Sequence, residues 1–394
     1  MTPTRHVAVV TGARADYGLL RPVMDAVRAR PDLRLSVIAT GPHLDHRFGH
    51  TVDQIVADGF SVASVPTLES DDTPLAMARA VGRGTIGIAE VLAALRPDLV
   101  VVLGDRFEIL AAAQAALLLA IPLAHLHGGE VTEGAVDESI RHAITKMASL
   151  HFAAAEPYAR RIRQMGENPA CVFAVGAPGV DSALALAPLS DATLARDLGL
   201  PLTDPLFLVT YHPVTRRDGD ESAAIDHLLA ALDRFPLARI VITGVNADAG
   251  HQVILRRLTA FTAARPERVT LHDSLGQRRY LSVMRRASLV IGNSSSGLIE
   301  APALKVPTID IGDRQAGRLR AASVIHCGDQ DTAAIVAAIA QGLDPAFRAT
   351  LDTLQPPYGG GNVGAAVAEI LAGIDIASLR RKPFFDLPEI SSWA

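Results

Sequence analysis

The chain has 394 residues, 49% of them hydrophobic and 20% charged; at roughly 150 residues per domain this suggests two or three globular domains and excludes a disordered or collagen-like chain. Lys plus Arg number 37 against 42 for Asp plus Glu, a net charge of -5, so no global positive field invites nucleic acid or an anionic membrane. A small-molecule partner is expected. Cys171 and Cys327 are the only cysteines, which excludes a disulfide framework and a paired-cysteine zinc site and fits a reducing cytoplasm. The apolar run near the N-terminus is too short for a signal-peptide core. The longest near-apolar stretch, Ile109 to Ile121, is 13 residues long and is stopped by Pro122, against the ~18 a membrane span needs. It reads as a buried helix.

In chain order, strand-length apolar runs occur at His6 to Val10, Leu33 to Thr40, Leu99 to Leu103, Pro122 to Leu126, Leu206 to Tyr211, Ile240 to Thr243 and Leu289 to Gly292, each followed by a helical pattern. Runs apolar on both faces imply strands covered on both sides, and strand-helix alternation implies parallel sheets with right-handed crossovers. The series pauses between Gly176 and Pro205, a segment of thirty residues with four prolines. The expected fold is therefore α/β, with two doubly wound Rossmann-like domains facing across a cleft. Their expected spans are residues 1–178 and 179–363, with a C-terminal helix and tail, 364–394, returning to the first. In such sheets ligands sit beyond the carboxyl ends of the strands.

The first strand leads into TGARADYG, residues 11–18, where Gly12 permits a tight turn and Arg14 adds a donor fork suited to phosphate, although a capping and pairing role for Arg14 and Asp16 is equally open. The third leads to Gly104-Asp105-Arg106-Phe107-Glu108, and the fourth ends in His125-Leu126-His127-Gly128-Gly129-Glu130. Asp137 opens the next helical pattern. Three carboxylates after adjacent strands, Asp105, Glu130 and Asp137, suit general acid and base work. The structural alternative is that Asp105 caps its helix and Asp137 pairs with Arg141 four residues on. His125 and His127 alternate on a strand without a third ligand at a recognised spacing, so no metal is expected, and one of them is a candidate for a buried, satisfied histidine.

In the second half, His212 and Asn246 follow successive strands and share a wall. The segment Asn293-Ser294-Ser295-Ser296-Gly297 opens a helix carrying Glu300. Hydroxyls and unpaired N–H groups at a helix N-terminus make an anion site. Gly359, Gly361 and Gly364 have the spacing of a dinucleotide fingerprint but follow Pro356-Pro357-Tyr358 rather than a strand, which argues against NAD.

Across nearly its whole length the chain resembles the hydrolysing UDP-N-acetylglucosamine 2-epimerases of the sialic-acid and legionaminic-acid branch. The motifs that carry the likeness are TGARADYGLLRPVM (11–24), TGPHLDHRFGHT (40–51), GDRFEILAAA (104–113), HGGEVTEGAVDESIRHAITKM (127–147), YHPVT (211–215), NADAG (246–250), GNSSSGLIEAP (292–302), IGDRQAGR (311–318) and YGGGN (358–362). The resemblance implies a GT-B-like fold, no cofactor, a nucleotide-sugar substrate and a homo-oligomer, dimer or tetramer. It places the nucleotide and phosphate contacts on Arg14, His212, Asn246, Ser294, Ser295, Glu300 and Arg314. The catalytic carboxylates fall on Asp105 and Asp137, and the second acid or base on Glu130 or His127, since some relatives have Glu where His127 stands.

The implied reaction removes the C2 proton while the C1 nucleoside diphosphate leaves, giving a glycal to which water adds with C2 inverted. That C2 hydrogen is not activated by a carbonyl, so the step needs charge stabilisation at C1 and on the leaving group. Two other readings are a GT-B glycosyltransferase, which would not need three acids, and a non-catalytic nucleotide-sugar sensor, against which the three retained carboxylates argue. The sugar, N-acetylglucosamine or 2,4-diacetamido-2,4,6-trideoxyglucose, and the nucleotide, UDP or GDP, stay open.

Overall fold

The computed structural model describes residues 4–69, 73–132, 136–213, 221–244 and 251–386. It separates into two compact units, Met1–Ser182 with Gly361–Ala394, and Ala183–Gly360. In the first, β1 (Arg5–Thr11), β2 (Leu33–Thr40), β3 (Val62–Val65), β4 (Leu99–Leu103), β5 (Leu123–Leu126), β6 (Leu150–Ala153) and β7 (Val172–Ala174) form a parallel sheet in the order β3-β2-β1-β4-β5-β6-β7. In the second, β8 (Leu206–Thr210), β9 (Arg239–Thr243), β10 (Val269–His272), β11 (Leu289–Gly292), β12 (Thr308–Ile311) and β13 (Val324–Cys327) take the order β10-β9-β8-β11-β12-β13. Both sheets are doubly wound, with the reversal of strand order between β1 and β4 and between β8 and β11. Those switch points are where open α/β sheets bind ligands.

Central strands are apolar on both faces because helices cover both. In the first unit one face buries Val7, Val9, Leu99 and Val101 against Leu20, Val23 and Met24 of the helix Arg14–Arg28. The opposite face buries Ala8, Val10, Val100 and Val102 against Ile88, Leu92 and the alanine-rich helix Phe107–Leu118. The helix Val363–Gly373 adds Val363, Val367 and Leu371 to the first of these cores. Gly364 lies so close to the helix Arg14–Arg28 that a Cβ there would stand 2.5 Å from the Pro22 carbonyl oxygen. Gly359 and Gly361 adopt left-handed φ values of 93° and 100°, so this glycine run makes a turn and a close helix approach.

The apolar stretch expected as a helix over Ile109 to Ile121 differs in extent. The helix ends at Leu118, and Leu118 is 79% exposed. Its alanines are buried against both the sheet and the helix Pro74–Leu95, while the last turn projects beyond the sheet. Of the described helices, none is long and apolar enough to cross a membrane.

Candidate active site

In the first unit, β4 and β5 pair in register through Leu103 and Leu126, so the segments that follow them start side by side. Gly104 takes a left-handed φ of 79° and donates its N–H to the Leu126 carbonyl. This turn sends Asp105 out at the sheet end. His127, at φ 63°, donates its N–H to the Phe152 carbonyl, a left-handed conformation that histidine adopts more readily than most non-glycine residues.

Arg141, 2% exposed, joins these segments. Its guanidinium donates to Asp105, to the Glu130 carbonyl at 3.1 Å, to Glu138 Oε2 at 2.9 Å and to Thr132 Oγ1 at 2.8 Å. Asp105 and Glu130 are thereby brought together. Of the structural alternatives read from sequence, the cap by Asp105 is not formed. Asp105 makes no side-chain cap to the helix Phe107–Leu118, whose N-cap is Arg106, and Arg141 takes Glu138 and Asp105. Glu138 also accepts the Thr132 N–H, at 2.6 Å. Asp137, half-buried in the first turn of the helix Val136–Met147, adds its charge to the field on Arg106.

The two histidines of this segment differ. His125 is fully buried, with Nε2 2.8 Å from the Gly104 carbonyl and Nδ1 3.2 Å from Thr145 Oγ1, and burial pulls its pKa down to about 3. It is the buried, satisfied one. His127 Nδ1 lies 2.5 Å from Glu130 Oε1, both side chains are buried, and His127 Nε2 has no hydrogen-bond partner among the described residues. A carboxylate holding one ring nitrogen fixes the tautomer and leaves the other nitrogen to move a proton.

Sequence reasoning passed over a second charged group beside this one. Arg106 forks onto Glu108 through Nε at 3.1 Å and Nη2 at 2.9 Å. Burial would lower the Arg106 pKa, but Glu108, Asp16 and Asp137 together hold it above its ordinary value. Asp16 is buried, and burial, opposed by Arg106, pushes its carboxyl up to about 6. Gly12 and Gly41 make room for Glu108: a Cβ at Gly41 would come within 2.9 Å of Glu108 Cγ. Arg14 is exposed at the start of its helix.

In the second unit, Asn293 organises the predicted nucleotide residues. Its Oδ1 accepts the His212 N–H at 2.8 Å, its Nδ2 donates to the His212 carbonyl at 2.8 Å, and its own carbonyl accepts from Arg314 Nη1 at 3.2 Å and Gln315 Nε2 at 2.8 Å. Burial, then the Arg314 charge, lowers the His212 pKa to about 4, so the ring is neutral at pH 7. Ser294 and Ser295 lie at the start of the helix Ser296–Ala303, which carries Glu300. Asn246 lies outside the described residues.

A family model described as UDP-N-acetylglucosamine 2-epimerase matches residues 25–372. The chain belongs to this family. It is 36% identical over 98% of its length to the polysialic acid biosynthesis protein P7 of Escherichia coli, 99% of which is covered. It is 38% identical, over 82% of this chain and 84% of the relative, to a GDP/UDP-N,N'-diacetylbacillosamine 2-epimerase (hydrolyzing) of Campylobacter jejuni. Among solved structures it shares its fold with the UDP-GlcNAc 2-epimerase of Neisseria meningitidis bound to UDP-GlcNAc, at a TM-score of 0.78, 18% identity and coverage of 93% and 99% of the two chains.

Proposed function

We propose that this member of the family is a hydrolysing nucleotide-sugar 2-epimerase that converts UDP-N-acetylglucosamine, or a UDP- or GDP-linked 2,4-diacetamido-2,4,6-trideoxyglucose, to the free 2-epimeric sugar and a nucleoside diphosphate. The observation that carries the reading is the His127–Glu130 pair, whose Nε2 is buried without a partner among the described residues, beside the Asp105–Arg141 pair. As the C2–H bond breaks, its electron pair forms the C1–C2 double bond of the glycal, and the C1–O pair leaves with the diphosphate. Water then adds its oxygen to C1, and a proton returns to C2 on the opposite face. A single group can hardly serve both faces. His127, oriented by Glu130, takes one proton step and Asp137 the other. Asp105, gripped by Arg141, faces the positive charge that builds at C1. In the second unit Ser294, Ser295 and Arg314 hold the diphosphate, Glu300 accepts from the ribose hydroxyls, and His212 and Asn246 complete the nucleotide wall; in the first, Arg14 is a phosphate donor.

The enzyme works without a metal: the His125 ring already has partners on both nitrogens. The products supply nonulosonic acid synthesis of the sialic or legionaminic type. The protein acts in the cytoplasm, as a homo-oligomer. Replacing Glu130 by Gln or Asp137 by Asn keeps shape and removes basicity, so turnover falls by ~10²-fold or more while UDP affinity stays near normal. Exhaustive EDTA treatment leaves the wild-type rate intact. Unchanged turnover in either variant contradicts the assignment.

A further inference from the structure

The helix Gly276–Arg286 delivers Tyr280 to the serine segment of the second unit. Its phenol oxygen lies 2.5 Å from Ser296 Oγ, and Ser296 Oγ lies 3.1 Å from Ser294 Oγ. The Thr210 hydroxyl also reaches the phenol, as does that of Ser294 more weakly, and Thr210 is itself 2.7 Å from Thr243 Oγ1. The loop cannot drift from this row of hydroxyls. Gly292, at φ 136°, lets it pass so near β8 that a Cβ would meet the Thr210 carbonyl oxygen at 1.9 Å, and Asn293 donates its N–H to the same oxygen at 3.1 Å.

We propose that Tyr280 is a positioning residue for diphosphate binding: it donates its phenol proton to Ser296, Ser296 donates to Ser294, and the Ser294 proton is thereby turned toward a phosphate oxygen of the nucleotide. This rests on the reading that Ser294 touches the diphosphate. Each hydroxyl has one proton, so the direction of the row decides whether its outer end gives a proton or accepts one. A phenol is a better donor than an alkyl hydroxyl, and burial keeps the Tyr280 proton in place, outweighing the neighbouring Ser296 and Thr210 hydroxyls, which act the other way. A donor row also polarises cooperatively, which strengthens its last bond. Ser296 belongs to the hydroxyl segment read from sequence as an anion site, whereas Tyr280 lies in none of the motifs. Tyr280 sits 14 residues before Ser294 on another element.

The test is a double-mutant cycle on binding of UDP, with uridine as the probe lacking phosphate. Tyr280→Phe and Ser296→Ala should each weaken UDP about threefold to tenfold and leave uridine affinity unchanged. The double variant should be no weaker than the poorer single one, because each change breaks the same row. Additive losses, or equal losses for UDP and uridine, overturn the proposal. Ser294→Ala separates the two levels. If it leaves UDP affinity unchanged, the underlying assignment of Ser294 fails. If it weakens UDP while Tyr280→Phe and Ser296→Ala do not, the relay alone fails.

Discussion

His43, His125 and His212 are each buried at the end of a strand or just beyond it, and burial lowers their pKa values to about 4, about 3 and about 4 from 6.5. In the folded protein they stay neutral at a pH where the unfolded chain takes up protons. Their contribution to stability is therefore fully present above pH 6.5 and is lost as pH falls toward about 4. Asp16 works in the opposite sense: its pKa is raised from 3.8 to about 6, so it costs stability as pH rises across that range. Three histidines outweigh one aspartate. Thermal unfolding followed by circular dichroism should show Tm falling as pH is lowered from about 6.5 to about 4, and falling more steeply in Asp16→Asn, which lacks the opposing group. A Tm that is flat over that range contradicts the assignment of these rings as neutral.

At the scale of elements, the close passage of the serine segment over β8 depends on one glycine. Gly292→Ala places a Cβ 1.9 Å from the Thr210 carbonyl oxygen on a left-handed φ of 136°, so both sterics and backbone preference oppose it. The expected loss is about 1–3 kcal/mol or more, with a UDP affinity that falls alongside it, read by thermal unfolding and calorimetry. Wild-type values for both would show that the segment is not held this way.

The strands legible in the sequence are those buried on both faces. The ones missed are β3, β7, β10 and β13 at the sheet edges and β6 and β12 beside them. Of the edge strands, β3, β10 and β13 are partly exposed and carry polar residues within four positions, and β7 is only three residues long although its surroundings are apolar. β6 carries His151, paired with the buried Glu167, and β12 carries the buried Asp310, paired with Arg320, which break the apolar pattern although both strands are inside. In the site, the post-strand positions of Asp105, His127 and Glu130 were readable from the period of the sheet. The grip of Arg141 on Asp105 was not, because it spans 36 residues.

For the whole molecule, the second unit is an uninterrupted stretch, Ala183–Gly360, with its own cores, whereas the first is completed by the C-terminal segment. A chain of residues 183–360 should therefore fold cooperatively by itself and bind UDP, while residues 1–182 alone, lacking Val363, Val367 and Leu371, should not give a sharp transition. Scanning calorimetry of the two fragments checks this. A well-folded 1–182 fragment would show the closing helix to be dispensable.

In the proposed reaction the C2 hydrogen of the sugar is removed and replaced by one from solvent. The most direct measurement is proton NMR of the sugar released from UDP-N-acetylglucosamine or its diacetamido counterpart by the wild-type enzyme in deuterated water. The expected product is manno-configured and carries deuterium at C2, with the nucleoside diphosphate released in equal amount. A product that keeps its original C2 hydrogen would contradict elimination and would instead fit simple hydrolysis or sugar transfer.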